Sequence, residues 1–217
     1  MKVIFFWLLF SYLFGSIPTA FLVTKWISGK DIRKIGRKKA SGSNVIHNVG
    51  FLPGILVGGF DIFKGVLAVG GAYFLGLSPV YQALAGILAV CGQMWPIFLK
   101  FWGGRGGGTS IGAMITLDLR IGIFLVLMWV VLKVVSKEYG SSIGMLLFYI
   151  IGGILGIYFQ NQGICIFSFG TLPLILLQRF LGEPGSIKKI KDKKVFIWRL
   201  LLDRDTKERM KQEKNFW

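Results

Sequence analysis

The chain has 217 residues, 53% of them hydrophobic, and a formal net charge of +16. This composition, with a mean hydropathy of +0.63, excludes an ordinary soluble domain and predicts an all-α integral membrane protein. The positive charge lies between and after apolar segments, which favours anionic lipids and anionic substrates as partners and not nucleic acid. His47 is the one histidine, so a multi-histidine metal site is excluded, and we expect neither a metal nor a cofactor.

The first apolar run, residues 3–27, continues past the sequence Gly-Ser-Ile-Pro at 15–18. It predicts a membrane-spanning helix that is kinked near Pro18, because proline interrupts helical hydrogen bonding. In the loop that follows, six of the eleven residues 29–39 are Lys or Arg. The positive-inside rule therefore places this loop in the cytoplasm and the N-terminus outside. Hydroxyls, amides and an imidazole follow at 41–48, close to the expected membrane surface.

A second helix is predicted from about Pro53 to Leu75, and it carries Asp61 and Lys64 in its apolar interior. An uncompensated charge at such a depth costs about 2.5–3.5 kcal/mol on insertion scales. The three-residue spacing puts the two side chains on one helix face, where they can neutralise each other. Two interpretations stay open: a structural ion pair, and a functional site of the kind that intramembrane charges usually mark.

A third helix, predicted from about Val80 to Leu99 with Gln93 near its inner end, leads into a stretch rich in glycine. Five of the six residues 103–108 are glycine, and the sixth is Arg105. Glycine N–H groups, a helix N-terminus and a fixed cation are together the components of a phosphate-binding site. The spacing is not that of a Walker loop. A flexible turn between two membrane helices is the alternative.

Residues 107–136 could form one long helix or a hairpin that turns at 117–120. The hairpin returns Lys133 to the cytoplasm, on the side of the basic loop, so the positive-inside rule favours it. The fourth helix then has about eleven residues and spans about half of a bilayer. Irregular backbone at membrane depth is tolerated where it is buried in protein or lines a wet cavity, and this favours a cavity-lining position for the glycine stretch.

Helices predicted at about 141–159 and 164–181 complete seven spans and leave the C-terminus in the cytoplasm. Residues 1–182 are thus expected to form one membrane domain. Residues 183–217 are expected to form a basic cytoplasmic tail associated with anionic lipid at the membrane surface, although a solvated tail is the alternative for 203–217. The sequence offers no Ser/His/Asp triad and no carboxylate dyad. Its cations, hydroxyls and glycines on one membrane face suit phosphoryl or acyl transfer on lipid precursors.

Several blocks of the chain, in order, resemble the bacterial membrane-bound acyl-phosphate:glycerol-3-phosphate acyltransferases, which make lysophosphatidic acid. The blocks are residues 15–18, 29–36, 61–65, 96–106 and 182–184. The seven-span, cytoplasm-facing architecture of that family agrees with the topology predicted above. The resemblance implies transfer of a fatty acyl group from acyl-phosphate to the 1-hydroxyl of glycerol 3-phosphate, for phospholipid biosynthesis, at the cytoplasmic face of the plasma membrane.

The resemblance also implies which residues form the site. Phosphate binding is expected from the glycine stretch and the first loop, through Gly103, Gly104, Gly106, Arg33, Lys34, Lys38, Ser41, Ser43 and Asn44. Three candidate catalytic residues stand at family positions whose residue type differs here: Arg105 replaces a lysine, Gln93 a histidine and His47 an arginine. These changes leave open a non-catalytic or substrate-shifted paralogue that binds phosphorylated lipid precursors. A transporter of a phosphorylated solute is disfavoured because no internal repeat is visible.

Overall fold

A computed structural model of the chain describes residues 1–136, 140–181, 199–201 and 203. These residues are helices and connecting loops, without a β-strand among them, and the predicted all-α class is confirmed. The helices in the described part are α1 (Lys2–Gly15), α2 (Thr19–Ser28), α3 (Gly42–Asn48), α4 (Phe51–Phe74), α5 (Pro79–Met94), α6 (Gly107–Leu117), α7 (Leu119–Val135), α8 (Gly140–Tyr158) and α9 (Gln162–Leu181).

Five helical segments of the described chain are long and apolar enough to cross a membrane. They are Lys2–Ser28, Phe51–Phe74, Pro79–Leu99, Ser141–Tyr158 and Gln162–Leu181. The first segment contains both α1 and α2, which are separated at Ile17 and Pro18; this interruption matches the predicted kink. With 11 and 17 residues, α6 and α7 are shorter, so the count of seven spans stays a prediction.

The predicted break between α6 and α7 is confirmed, and Asp118 makes it. Its backbone is extended, with φ −157° and ψ 116°, so the helix cannot continue through it. Its carboxylate accepts hydrogen bonds from the backbone N–H groups of Arg120 and Ile121 at 3.0 and 3.1 Å. This is a standard N-cap, and it allows α7 to begin immediately after α6 ends.

Small residues bring α6 against α4 with their backbones in contact. A Cβ atom on Gly65 would lie 2.0 Å from the carbonyl oxygen of Thr109, and one on Gly112 would lie 2.0 Å from that of Ile62. Helices α1 and α5 pack in the same way, since a Cβ atom on Gly15 would lie 2.2 Å from the carbonyl oxygen of Ala89. Such close approach draws the start of α6, the end of α5 and the turn after α1 to one end of the bundle.

Of the predicted tail, 183–217, the structure describes residues 199–201 and 203, which we call the C-terminal segment. The expected membrane-surface association of 183–198, 202 and 204–217 lies outside the described residues.

Candidate active site

Asp61 and Lys64 meet inside the bundle, as their spacing predicts, with 2.9 Å between Lys64 Nζ and Asp61 Oδ1. The fully buried ammonium also lies 2.6 Å from the backbone oxygen of Ile17, 2.6 Å from Gln93 Oε1 and 3.0 Å from the hydroxyl of Thr19. An ammonium has three N–H donors, so every one of them finds an acceptor within the protein.

The carboxylate of Asp61 is equally well paired. Gln93 Nε2 donates to Oδ2 at 3.0 Å, and the hydroxyl of Thr19 donates to Oδ1 at 3.0 Å. A buried ion pair whose hydrogen-bonding capacity is used internally avoids the cost of an unpaired charge. The network joins α4, α5 and the start of α2, and it holds the side-chain amide of Gln93 in one orientation.

The glycine stretch, residues 103–108, lies against this network and has little room for side chains. A Cβ atom on Gly103 would lie 2.4 Å from the ring of Pro96, and one on Gly104 would lie 2.5 Å from the carbonyl oxygen of Ala40. Gly106 has φ +72°, the left-handed region that favours glycine. Without a side chain it cannot cap α6, so the first-turn N–H groups of α6 are the type of donor that binds anions.

Two of the blocks singled out in the sequence, residues 15–18 and 96–106, meet around a narrow pocket of about 10 Å³, roughly the room of one water. The backbone N–H of Gly104 donates to the carbonyl of Gln93 at 3.0 Å on its wall. The lining residues are Ser16, Ile17, Pro18, Thr19, Ala20, Ala40, Gln93, Pro96, Leu99, Gly103 and Gly104. The pocket therefore joins the turn after α1, the end of α5 and the glycine stretch.

Arg105 extends from the glycine stretch and binds a carboxylate with two of its nitrogens. Its Nε lies 3.0 Å from Asp203 Oδ2, and its Nη2 lies 2.6 Å from Asp203 Oδ1. Its Nη1 donates to the backbone oxygen of Gln178 at 3.0 Å and also to the side-chain oxygen of that residue. Gln178 Nε2 in turn donates to the carbonyl of Gly104 at 3.2 Å, so α9 orients both the cation and the loop.

Lys39 approaches the same carboxylate from the first loop, residues 29–48. Its Nζ contacts Asp203 Oδ2 and lies 3.2 Å from the backbone oxygen of Asp203. Burial alone would raise the pKa of Asp203, but the charges of Arg105, Lys39 and Arg179 outweigh it and hold the pKa well below its usual range. An anion is therefore strongly stabilised at this point of the molecule.

Arg33, a predicted phosphate ligand, joins the first loop to the residues just before the glycine stretch. Its Nε and Nη2 lie 3.0 and 2.8 Å from the carboxylate oxygens of Asp31. This hydrogen bonding holds the pKa of Asp31 below its usual value. The guanidinium also stacks over Phe21 and Trp102, at 5.2 and 4.9 Å from the ring centroids, and donates to the carbonyl of Leu99 at 3.3 Å.

Asn44, another predicted phosphate ligand, is buried within the first loop. Its Nδ2 lies 3.1 Å from the carbonyl oxygen of Ile32, 3.2 Å from that of Ile35 and 2.9 Å from that of Lys39. Its Oδ1 accepts from the backbone N–H of Arg37 at 3.0 Å. The amide thereby sets the path of the loop that carries Lys39.

The two candidate serines lie at the start of α3. Ser41 is its N-cap and accepts from the backbone N–H of Asn44 at 3.4 Å. The hydroxyl of Ser43 lies 3.4 Å from that of Ser41. Both serines are partly exposed, so they can also contact a ligand.

Lys34, Lys38 and His47 lie on the exposed surface of the first loop and α3. Partial burial lowers the pKa of His47, and the positive charges of Arg37 and Lys133 lower it further. These effects favour the neutral form of the imidazole.

Four residues of the site were not predicted from the sequence: Thr19, Lys39, Gln178 and Asp203. An amide at Gln178, inside the apolar run 164–181, was a usable signal, because a polar group at membrane depth usually has a partner. Nothing in the sequence distinguished Lys39 from its basic neighbours or Asp203 from other tail residues. Within the described residues no three His, Cys, Asp or Glu side chains lie close enough together to hold a metal ion.

The comparisons with known proteins agree on one family. The family model described as Glycerol-3-phosphate acyltransferase matches residues 5–187. Glycerol-3-phosphate acyltransferase 2 of Moorella thermoacetica is 37% identical over 154 residues, which are 71% of this chain and 78% of that protein. Glycerol-3-phosphate acyltransferase of Blochmanniella pennsylvanica is 32% identical over 194 residues, which are 88% of this chain and 95% of that protein.

A solved structure has the same fold. The crystal structure of PlsY (YgiH), an integral membrane glycerol 3-phosphate acyltransferase, in its glycerol 3-phosphate form, matches with a TM-score of 0.73. The two chains are 22% identical, and the match covers 86% of this chain and 92% of that one. The lysophosphatidic acid form of PlsY matches with a TM-score of 0.70.

Proposed function

This chain belongs to the glycerol-3-phosphate acyltransferase family, and we infer from this premise that it transfers a fatty acyl group to glycerol 3-phosphate in phospholipid synthesis. We propose that the acyl donor is an acyl-phosphate, so that the products are lysophosphatidic acid and inorganic phosphate. Both substrates then carry a phosphate group, and the site must hold two anions beside an acyl chain.

The observation that carries the proposal is the arrangement around Arg105. The forked guanidinium of Arg105 and the ammonium of Lys39 converge on one point, where a carboxylate is bound through both oxygens. Phosphate oxygens accept the same paired hydrogen bonds from an arginine. We assign this point to the phosphate of one substrate. We assign the phosphate of the other substrate to the exposed Lys34 and Lys38 and to the hydroxyls of Ser41 and Ser43.

The proposed reaction needs no protein base. The 1-hydroxyl oxygen of glycerol 3-phosphate attacks the acyl carbon, and the bond between that carbon and the phosphate oxygen breaks. The departing phosphate takes the hydroxyl proton, so atoms and charges balance. The protein contributes by positioning the two anions and neutralising their charge. This fits Gln93, whose amide does not titrate but is oriented by Asp61 and lines the pocket.

The proposed orientation puts the site at the cytoplasmic face of the plasma membrane, with seven spans and the N-terminus outside. The positive-inside rule supports it, because the basic first loop lies against the glycine stretch, where a Cβ atom on Gly104 would lie 2.5 Å from the carbonyl oxygen of Ala40. The hairpin of α6 and α7 supplies the two shorter spans of this topology. Anionic lipids at that face are the expected surroundings of the basic loop.

The test is an acyl-transfer assay with purified protein in detergent, radiolabelled glycerol 3-phosphate and acyl-phosphate, with acyl-CoA as the alternative donor. We expect labelled lysophosphatidic acid from acyl-phosphate. Arg105→Ala should reduce kcat/KM by about 100-fold or more, and Arg105→Lys should retain measurable turnover because it keeps the charge.

The matched control is Arg120→Ala, which removes an exposed arginine at the start of α7 and should leave turnover unchanged. Folded protein that makes no product from either donor would overturn the proposed activity. Binding of glycerol 3-phosphate without turnover would identify the chain as the non-catalytic alternative. Product from acyl-CoA alone would retain the acceptor and overturn the proposed donor.

A further inference from the structure

The anion at Arg105 and Lys39 belongs to the chain itself. Asp203 places both carboxylate oxygens on the guanidinium of Arg105, at 3.0 and 2.6 Å, and one of them also on Lys39. These are the contacts that a bound phosphate would make with an arginine and a lysine. The carboxylate therefore occupies the position that the proposed function gives to a substrate phosphate.

Hydrogen bonds to α9 hold the C-terminal segment in a position from which the carboxylate of Asp203 reaches the two cations. Arg179, buried near the end of α9, donates to the carbonyls of Leu200 and Leu201 at 2.8 and 3.3 Å, and its other terminal nitrogen donates to that of Ser142 at 2.8 Å. Arg199 is also buried and donates to the carbonyl of Phe180 at 3.3 Å. The position of Asp203 is thus also set by backbone contacts that do not involve its carboxylate.

The side chains of the two cations are more exposed to solvent than the carboxylate that they bind. The side chain of Asp203 is 9% exposed, whereas those of Arg105 and Lys39 are 24% and 25% exposed. The two cationic side chains therefore stay in contact with solvent while the carboxylate is bound. If the carboxylate left without a replacement, Arg105 and Lys39 would lose the negative charge that lies between them, and their repulsion favours exchange of one anion for another.

We propose that Asp203 is an internal competitor of the substrate phosphate, occupying the Lys39–Arg105 anion site in the resting enzyme and leaving it when a phosphate group binds. The inference rests on the proposed function for the identity of the substrate, but its contacts and its test need only a phosphate anion. The ligand class is a phosphate monoester or an acyl-phosphate, and inorganic phosphate is the simplest probe. Lys39 becomes a phosphate ligand of this site.

The direct test is calorimetric titration of the full-length protein in detergent with inorganic phosphate. An internal competitor reduces apparent affinity by the fraction of molecules in which the site is open. Asp203→Asn should therefore lower the apparent Kd for phosphate; a tenfold fall corresponds to a site that is closed in about nine molecules out of ten. Asp203→Glu keeps the charge and should bind phosphate like the wild type.

Two controls locate the effect. Asp118→Asn changes a carboxylate that caps α7 and has no role in the site, so the apparent Kd should not change. Arg105→Ala combined with Asp203→Asn should abolish the gain. An unchanged or raised Kd for Asp203→Asn alone would overturn the proposal, because it would mean that Asp203 is neutral or holds Arg105 in its binding position.

A second measurement uses the wild-type protein and does not depend on how the variants fold. Phosphate that displaces Asp203 should increase amide hydrogen exchange in the peptide containing residues 199–203, as measured by mass spectrometry. Unchanged or slower exchange on adding saturating phosphate would contradict displacement. If the apparent Kd and the hydrogen exchange change as expected but no lysophosphatidic acid forms, the competitor role is supported and the proposed reaction is wrong. If lysophosphatidic acid forms but neither the apparent Kd nor the hydrogen exchange changes, the proposed reaction is supported and the competitor role is wrong.

Discussion

The charges of Asp61 and Lys64 lie inside the helix bundle, and a double-mutant cycle can measure what they contribute to stability. The perturbations are Asp61→Asn, Lys64→Met and the two together. Asparagine keeps the shape of the aspartate side chain and removes its charge, while methionine keeps most of the length of lysine and removes its ammonium. Each single change leaves one buried charge without its counter-ion.

The expected magnitudes follow from the contacts. Removing one partner of a buried ion pair costs about 3–5 kcal/mol. After Asp61→Asn, the ammonium of Lys64 keeps neutral acceptors on Ile17, Thr19 and Gln93 at 2.6–3.0 Å, so we expect the lower end, about 3 kcal/mol. Lys64→Met should cost a similar amount. The double variant should be more stable than the sum of the two single changes predicts, by about 2 kcal/mol or more, because no unpaired charge remains.

The assay is equilibrium unfolding in mixed micelles, followed by circular dichroism, with the free energy of unfolding measured for all four proteins at one pH. Asp118→Asn is the control, since asparagine caps a helix as well as aspartate does; it should change the free energy by less than about 0.5 kcal/mol. Single effects that simply add, within about 0.5 kcal/mol, would refute the claim that the two charges stabilise each other.

Three further predictions use other contacts. Gly65→Ala should destabilise the folded protein by about 1–3 kcal/mol, because the new Cβ would lie 2.0 Å from the backbone oxygen of Thr109. The control Gly59→Ala adds a Cβ with no atom within 4 Å and should stabilise the protein by about 0.5–1 kcal/mol. Equal effects of the two changes in the same unfolding assay would contradict the α4–α6 contact. The lowered pKa of Asp31 means that its ionised form stabilises the folded state above the ordinary value of about 3.9, and that this contribution is lost as pH falls through the folded pKa. The stability difference between the wild type and Asp31→Asn should therefore be constant above about pH 5 and shrink below it, and a difference that grows in acid would be the wrong sign. Gln178→Leu removes a hydrogen bond to Arg105 and should lower kcat/KM about tenfold without changing the product, since a hydrogen bond to a charged group contributes about 1.5 kcal/mol. The matched control is Gln82→Leu, which removes an amide on α5 that donates to the carbonyl of Leu77. Equal losses of kcat/KM in the two variants would show a general folding effect.

Patterns in the sequence predicted the long apolar helices and two interruptions, but not the short helix α3. Proline at 18 predicted the break between α1 and α2, and the positive-inside rule applied to Lys133 predicted the break between α6 and α7. The three-residue spacing of Asp61 and Lys64 predicted their ion pair. The kink and the ion pair depend on residues within one or two helical turns, and the hairpin depends on which loops carry the basic residues, so the chain need not be folded for these predictions to be made.

The partners of the charged residues could not be predicted in this way. The first loop has six Lys or Arg residues, and only the folded chain decides that Arg33 binds Asp31 and stacks on Trp102, while Lys39 reaches Asp203. Likewise, the amide of Gln93 could have faced lipid, ligand or protein; its bond to Asp61 follows from the crossing of α4 and α5.

The sequence by itself determined that this chain is a helical membrane protein with two opposite charges on one face of an apolar helix and a stretch rich in glycine, because hydropathy, charge and glycine content act locally. Tertiary structure decided what surrounds that stretch: Gln178 from α9, Lys39 from the first loop and Asp203 from the C-terminal segment. Asp203 is 98 residues from Arg105 in the chain. Which carboxylate meets which cation over such a separation depends on how the helices pack, and local composition does not encode it.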